Sequence, residues 1–333
     1  MNETVTTQPK VSVICACYNS AEFINDTIES IISQSYENWE LICVDDGSKD
    51  DTLNILRAFE KRDGRIKAFS KPNSGRAAPA LNVALTHCSG KYGFGIGHDD
   101  QLSPDFLEKT VQRALETGAD IVIPDCFFIH KDNPEKNSFY IGPDFFPAKT
   151  PIEGVDRSVI LSPMEACILS INWKIHAFAL YAMHIMKKIG YSEEGMNGDE
   201  FSARLFLLNA NKIAFSEGRY YYNQIPTSIT KKASVRYFDT FITDKKIYSL
   251  CKELNLDDMF IKKFRSGCLR KYAQHYFKFK RQKPEFSEQE REAIQKIFCE
   301  AKKWLNFTFC EYVKYMRKYF IKYLRRRYLK HSS

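Results

Sequence analysis

Residues 92–100, Tyr92-Gly93-Phe94-Gly95-Ile96-Gly97-His98-Asp99-Asp100, decide how this chain is read. They form an apolar, glycine-rich strand that runs into two adjacent carboxylates. Two acids at the tip of a strand repel each other and are tolerated where a cation sits beside them. Hard oxygen ligands of this kind suit Mg²⁺ or Mn²⁺, ions that usually reach a protein together with phosphates. A second pair, Asp45-Asp46, ends another apolar strand, Leu41-Ile42-Cys43-Val44. Two acidic strand ends in one α/β region predict a nucleotide and its metal at the carboxyl edge of a sheet.

Outward from these pairs, the first 125 residues alternate strand and helix. Val11 to Ala16 reads as a buried strand, and Ile24, Ile28 and Ile31 then mark one helix face. Trp39 to Val44 is the next strand, followed by a helix carrying Leu53, Leu56 and Phe59, capped by Ser48 or Asp50. Ile66 to Phe69 is a short strand. Arg76 to His87 is a helix with Pro79 in its first turn. Leu102-Ser103-Pro104 reads as the start of a helix carrying Leu107, Val111 and Ala114, and Asp120 to Pro124 is another strand. The alternation predicts a mostly parallel sheet with helices on both faces. From Cys126 to Pro163 the pattern weakens into an insertion. Order returns at Met164–Ser170, Lys174–Ile189 and Asp199–Leu208, then in two short strands, Lys212–Phe215 and Arg219–Tyr222. Beyond Lys232 the chain reads as mainly helical, which divides it into residues 1–232 and 233–333, with a basic tail over 302–330.

The chain has 333 residues, 44% of them hydrophobic and 27% charged, so a packed core is feasible and global disorder is excluded. Its net charge is +8. Lys302 to Lys330 hold ten Lys or Arg against one acid, Glu311, a local net of +9 that leaves −1 for the rest. The basicity therefore belongs to the tail and gives no support to a nucleic-acid-binding core. The ten cysteines form no CxxC and read as reduced core thiols of a cytoplasmic protein. Met1 to Lys10 lacks the apolar region of a signal peptide, and no run approaches the ~20 apolar residues of a membrane span. In the tail, Phe309, Tyr312, Val313, Met316, Phe320, Tyr323 and Leu324 recur at helical spacing among Lys and Arg. Such a basic amphipathic helix either packs on its own domain or rests on an anionic membrane surface.

Four segments carry a resemblance in their joint order and spacing: VSVICACYNSAEFINDTIESIISQSYENWELICVDDGSKDDT (residues 11–52), KPNSGRAAPALNVAL (71–85), GKYGFGIGHDDQLSPDFL (90–107) and GDEFSARLFLLNANKIAFSEGRYYYN (198–223). The chain resembles the family 2 glycosyltransferases of GT-A fold. The resemblance implies an inverting hexosyl- or N-acetylhexosaminyl-transferase. Such an enzyme moves a sugar from a UDP-sugar to a hydroxyl of a glycan or polyprenyl-linked glycan in cell-surface polysaccharide synthesis, with Mn²⁺ or Mg²⁺. It implies that Ala16, Tyr18 and Asn19 face the base and that Asp46 accepts from the uracil N3–H, a role suited to an acceptor-only carboxylate. Arg76 would face the diphosphate. Asp100 would be the metal ligand, and Asp99 a ribose or second metal contact. His98 is read as a packing or hydrogen-bonding residue.

The same resemblance places the catalytic base at Asp199, with Glu200 as its rival, because the family order Glu-Asp is here Asp-Glu. A carboxylate in reach of the acceptor hydroxyl typically contributes ~10²–10⁴-fold. Trp173 and His176 would line the acceptor side. The family often has a further acid where Gly97 stands and a basic residue where Asn223 stands, for which Lys231 or Lys232 would substitute. Two alternatives stay open. An inactive sugar-nucleotide-binding homologue is kept open by Gly97 and the Asp-Glu order. A sugar-nucleotide pyrophosphorylase would need a Gly-rich basic loop where Cys17-Tyr18-Asn19-Ser20 stands. The helical region could equally carry a homo-oligomer interface.

Overall fold

The computed structural model describes residues 8–143, 148, 150, 154–225 and 234–328, with side chains described as far as residue 321 in the last helix. Two compact units are present: Met1–Glu193 with Ser202–Pro226, and Glu194–Phe201 with Thr227–Ser333.

In chain order the sheet-bearing part runs β1 (Val11–Cys17), α1 (Ile24–Ile32), β2 (Trp39–Asp45), α2 (Thr52–Arg62), β3 (Ile66–Ser70), α3 (Ala77–His87), β4 (Tyr92–Gly97), β5 (Gln101–Leu102) and α4 (Phe106–Thr117). It continues through β6 (Ile121–Ile129), β7 (Ser138–Tyr140), α5 (Pro163–Ile171), β8 (Leu180–Ala182), α6 (Met183–Ile189), α7 (Gly198–Leu208) and β9 (Ile213–Asn223). The strand order is β3-β2-β1-β4-β8-β6-β9-β5, with β7 paired to β6. The long ladders β3–β2, β2–β1, β1–β4 and β6–β9 are parallel. The short ladders made by β5, β7 and β8 are antiparallel. The sheet is thus mixed but parallel in its long pairings.

Alternation within the strands explains why helices cover both faces. Val11, Val13, Cys15 and Cys17 of β1 join one apolar cluster with Ile24, Ile28 and Ile31 of α1, Leu56 of α2 and Phe106 of α4. Ile14 points the other way and joins Ala80 and Ala84 of α3, Met186 of α6 and Phe206 of α7. A strand buried on both faces is apolar along most of its length, which is why β1 reads as a nearly continuous run; its buried Ser12 donates to Glu40 Oε1 (2.6 Å). Each such Val, Ile, Leu or Phe contributes ~1.5–3 kcal/mol on burial.

Five expected details differ. Leu102-Ser103-Pro104 is not a helix start: Gln101 and Leu102 pair with Tyr221 and Tyr220 as β5, and α4 begins at Phe106. The expected insertion from Cys126 begins later, because β6 runs to Ile129 and pairs with β7. Lys174–Ile189 is not one element but holds β8 and α6. Lys212–Phe215 and Arg219–Tyr222 are one strand, β9, whose register with β6 shifts between Ile123 and Asp125. Asp51, not Ser48, is the N-cap residue of α2 and makes no side-chain cap bond; Asp50 Oδ1 instead accepts from the Thr52 N–H at the helix start (3.1 Å).

In the second unit follow α8 (Val235–Phe238), α9 (Thr240–Glu253), α10 (Asp258–Gln282), α11 (Glu288–Leu305) and α12 (Phe309–Tyr328). Phe238, Phe241, Leu269, Tyr272, Phe279 and Phe298 build an aromatic core of their own. Capping boxes or side-chain caps at Asp257 and Ser287 set two of the starts. Residues 231–233, with Lys231, Lys232 and the expected boundary, lie outside the described residues. The ten cysteines are free thiols, eight of them buried, with Cys299 and Cys310 exposed.

Candidate active site

Parallel register places three loops on one edge of the sheet. Cys17 pairs with Asp45 and Ala16 with Gly97, so the turns after β1, β2 and β4 leave together at their carboxyl ends. The first two turns are stitched to each other. Asn19, at φ +48°, donates its N–H to Ser48 Oγ (3.0 Å) and accepts at Oδ1 from Lys49 N–H (2.8 Å). Ser20 N–H donates to Thr52 Oγ1 (2.8 Å). Ala16 and Tyr18 are half-buried at this edge, and Asn19 is exposed.

The acids of the first pair do different work. Asp45 accepts from Ser48 N–H (3.2 Å) and Ser70 hydroxyl (3.1 Å), closing the turn. Asp46 reaches across to the loop before α3. Its Oδ1 accepts from Lys71 Nζ (2.7 Å), Ser74 Oγ (2.8 Å) and Ser74 N–H (3.1 Å). Asn73 Nδ2 donates to the Asp46 carbonyl (2.8 Å). Among the described residues Oδ2 shares only the Ser74 N–H (3.1 Å) and so keeps acceptor capacity. Arg76, half-buried, is the N-cap residue of α3.

The second pair is held from β9. Asp100 is 1% exposed; its Oδ2 accepts from the Tyr220 hydroxyl and its Oδ1 from Asn223 N–H (2.8 Å). The Tyr220 oxygen in turn accepts from Gly97 N–H (3.2 Å), and Asn223 Nδ2 donates to the Asp99 carbonyl (2.8 Å). Burial pushes the Asp100 carboxyl well above the usual range, with the Asp99 charge adding; the Tyr220 and Asn223 donors pull the other way. Asp99 is half-buried and the more open of the two. His98 is half-buried, with Nδ1 buried and lacking a hydrogen-bond partner among the described residues. At Gly97 a Cβ would come closer to Asp100 Oδ2 than real Cβ atoms do, and 3.1 Å from Asp99 Oδ1. The volume a third acid would need is therefore filled by Asp100.

An aromatic chain leads from this pair to the proposed acceptor residues. Phe178 stacks on Tyr220 with centroids 4.4 Å apart, and His176 lies 5.9 Å from Phe178. His176 is buried, hydrogen-bonded through Nε2 to the Pro124 carbonyl (2.8 Å), and desolvation lowers its pKa to about 4. Trp173 is 56% exposed, and Arg204 lies 5.2 Å from its ring. Asp199 and Glu200 occupy the first turn of α7, Asp199 exposed and Glu200 half-buried. Their segment groups with the helical unit. Nothing local in the sequence marks Tyr220 or Lys71 as partners of these acids, and Asn223 reads only as the place of a missing basic residue.

No group of three or more His, Cys, Asp or Glu among the described residues is arranged to hold a metal ion. One open carboxylate, Asp99, beside a filled one suits an ion that arrives with a diphosphate, since Mg²⁺-type ions are commonly held by one or two carboxylates plus substrate phosphates.

The chain is similar to known proteins over much of its length. The model of the family described as glycosyl transferase family 2 matches residues 12–170. Glycosyltransferase GlyG of Streptococcus pneumoniae serotype 4 is 30% identical over 230 residues, covering 66% of this chain and 73% of that protein. The putative teichuronic acid biosynthesis glycosyltransferase TuaG of Bacillus subtilis is 36% identical over 138 residues, covering 41% of this chain and 54% of that one. Among solved structures, residues 1–349 of S. aureus TarS in complex with UDP-GlcNAc superpose with a TM-score of 0.61 at 17% identity, over 92% of this chain and 89% of that one. That last likeness is one of fold.

Proposed function

The chain belongs to glycosyl transferase family 2, and from that premise we propose that it is an inverting transferase moving a sugar from a UDP-sugar to a hydroxyl of a cell-surface glycan or lipid-linked glycan. The observation that carries this reading is the placement of Asp46 and the Asp99–Asp100 pair at one carboxyl edge of β2–β1–β4. The UDP-GlcNAc bound by TarS and the teichuronic acid pathway named for TuaG support the donor and acceptor classes.

In this reading Tyr18 stacks on the base, Asp46 Oδ2 accepts the uracil N3–H, and Arg76 faces the diphosphate. Asp99, rather than Asp100, would hold Mn²⁺ or Mg²⁺ with the diphosphate; Asp100 is buried and committed to Tyr220 and Asn223. A bound ion would offset charge on the leaving UDP. Asp199, with Glu200 as alternative, takes the acceptor proton as its oxygen bonds to the anomeric carbon from the face opposite UDP. The anomeric C–O bond breaks and its electron pair leaves with the diphosphate. Trp173 offers an exposed ring for a sugar face.

The tail supports a place at a membrane surface. On α12, Phe309 (80% exposed), Val313 and Phe320 are exposed, as are Lys314, Arg317 and Lys318, while Met316 is buried and the Phe320 ring lies 6.0 Å from that of Phe277. No helix among the described residues is long and apolar enough to cross a membrane. The side chains of Tyr323, Leu324 and Arg325 to Arg327 lie outside the described residues.

The test is product formation from a panel of UDP-sugars with a lipid-linked acceptor, with Asp199→Asn and Glu200→Gln in parallel. Turnover lost in one variant, with UDP binding kept, supports the reading. UDP binding without turnover in the native protein, across metals and donors, would favour the inactive homologue.

A further inference from the structure

The segment Glu194–Phe201 precedes β9 in the chain yet groups with the C-terminal helices. Three contacts with α9 show how it is held. Lys246 Nζ pairs with Glu194 Oε2 at 2.6 Å and lies 5.4 Å from the Phe201 ring centroid, so one side chain grips both ends of the segment. Gly195, at φ +79°, lies flush on α9: a Cβ there would overlap Thr243 Oγ1, stand 3.1 Å from Thr243 N and 3.4 Å from the Asp239 carbonyl. Asp239, the N-cap residue of α9, then Thr243 and Lys246 follow one another at four and three residues, on one side of that helix. An exposed ion pair alone adds little. The glycine contact is the stronger constraint, because it is partly with backbone and sits where an L side chain is strained. Between the two grips lie Asp199 and Glu200.

We propose that the Asp239–Thr243–Lys246 face of α9 is the platform that fixes where Asp199 and Glu200 stand, which makes Gly195 and Lys246 positioning residues for transfer. This rests on reading one of the two acids as the base.

Gly195→Ala forces the segment off α9, and a displacement of ~1 Å at a reacting group costs ~10²-fold. The expected result is a kcat lowered ~10–100-fold with donor KM and UDP-induced thermal shift within about twofold, and an acid limb of the pH–rate profile that moves. Gly195→Ala/Thr243→Ala, which removes the overlapping Oγ1, recovers part of kcat. Lys246→Ala lowers kcat less, and Lys246→Arg restores it. If Gly195→Ala does not fold, the Lys246 pair decides. Wild-type kcat in both Gly195→Ala and Lys246→Ala, or a loss of UDP affinity equal to the loss of kcat, overturns the platform. Near-normal turnover in both Asp199→Asn and Glu200→Gln instead overturns the base reading, and the two failures are distinct.

Discussion

The Tyr220 hydroxyl donates to Asp100 while its oxygen accepts from Gly97 N–H, so one phenol on β9 ties the end of β4 to the acid that follows it. Tyr220→Phe leaves a buried carboxylate oxygen and an amide short of a partner. The expected cost is ~1–3 kcal/mol, read as an apparent Tm lower by ~3–10 °C. Burial then raises the Asp100 carboxyl further, because a donor to its charged form is gone. An unchanged Tm would show that the phenol carries no weight there.

Asp99 and Asp100 should separate cleanly. Asp99→Asn is expected to keep the native Tm while reducing turnover by on the order of 10²-fold or more and abolishing any Mn²⁺-dependent part of the UDP thermal shift. Asp100→Asn is expected to lower Tm, since an amide cannot accept at both positions from Tyr220 and Asn223. The reverse pattern would return the metal to Asp100.

His176 gives a pH dependence of definite sign. Its folded pKa, about 4, lies below the ordinary 6.5, so the unfolded chain binds the extra proton between those values. Stability is therefore full above pH ~6.5, falls as pH drops to ~4, and levels off below; the slope is up to one proton. His275, lowered to about 3 by burial and the neighbouring Lys271 and Lys278, acts with the same sign. Denaturant titrations of native protein and His176→Gln at pH 7, 6 and 5 check this: the variant should show the shallower slope, and parallel slopes would refute the assignment.

At the tail, Phe309→Ser/Phe320→Ser and Lys314→Ala/Lys318→Ala are expected to weaken cosedimentation with anionic vesicles. Each lysine is worth ~1 kcal/mol, or ~5-fold. Neutral vesicles should bind little. Pelleting equal to the native protein in both variants would assign α12 to packing within its own unit.

The parts of the fold legible in sequence are those whose signal is local. β1, β2 and β4 are apolar runs because both their faces are covered, and α1 announces itself by Ile24, Ile28 and Ile31. What was not legible depends on a distant partner. β5 is two residues long and exists only because β9 lies beside it. β9 was split in two because Ser216-Glu217-Gly218 interrupts its pattern; the break accompanies the register shift opposite Pro124, which cannot donate to a ladder. Tyr220 was hidden in Tyr220-Tyr221-Tyr222, where only pairing tells the buried ring from its neighbours. The acid pairs were visible as pairs. That Asp45 and Asp100 are held by protein donors while Asp99 stays more open follows from turns and strands far along the chain.

Position 97 shows what that arrangement commits the protein to. With Asp100 turned inward toward Tyr220, its carboxylate and a side chain at 97 compete for one volume. A further acid here displaces the Asp100 carboxylate, so Asp100 swings out and gives up Tyr220 and Asn223. Two carboxylates and three are thus alternative builds of the same strand end, separated by the turning of the Asp100 side chain away from β9.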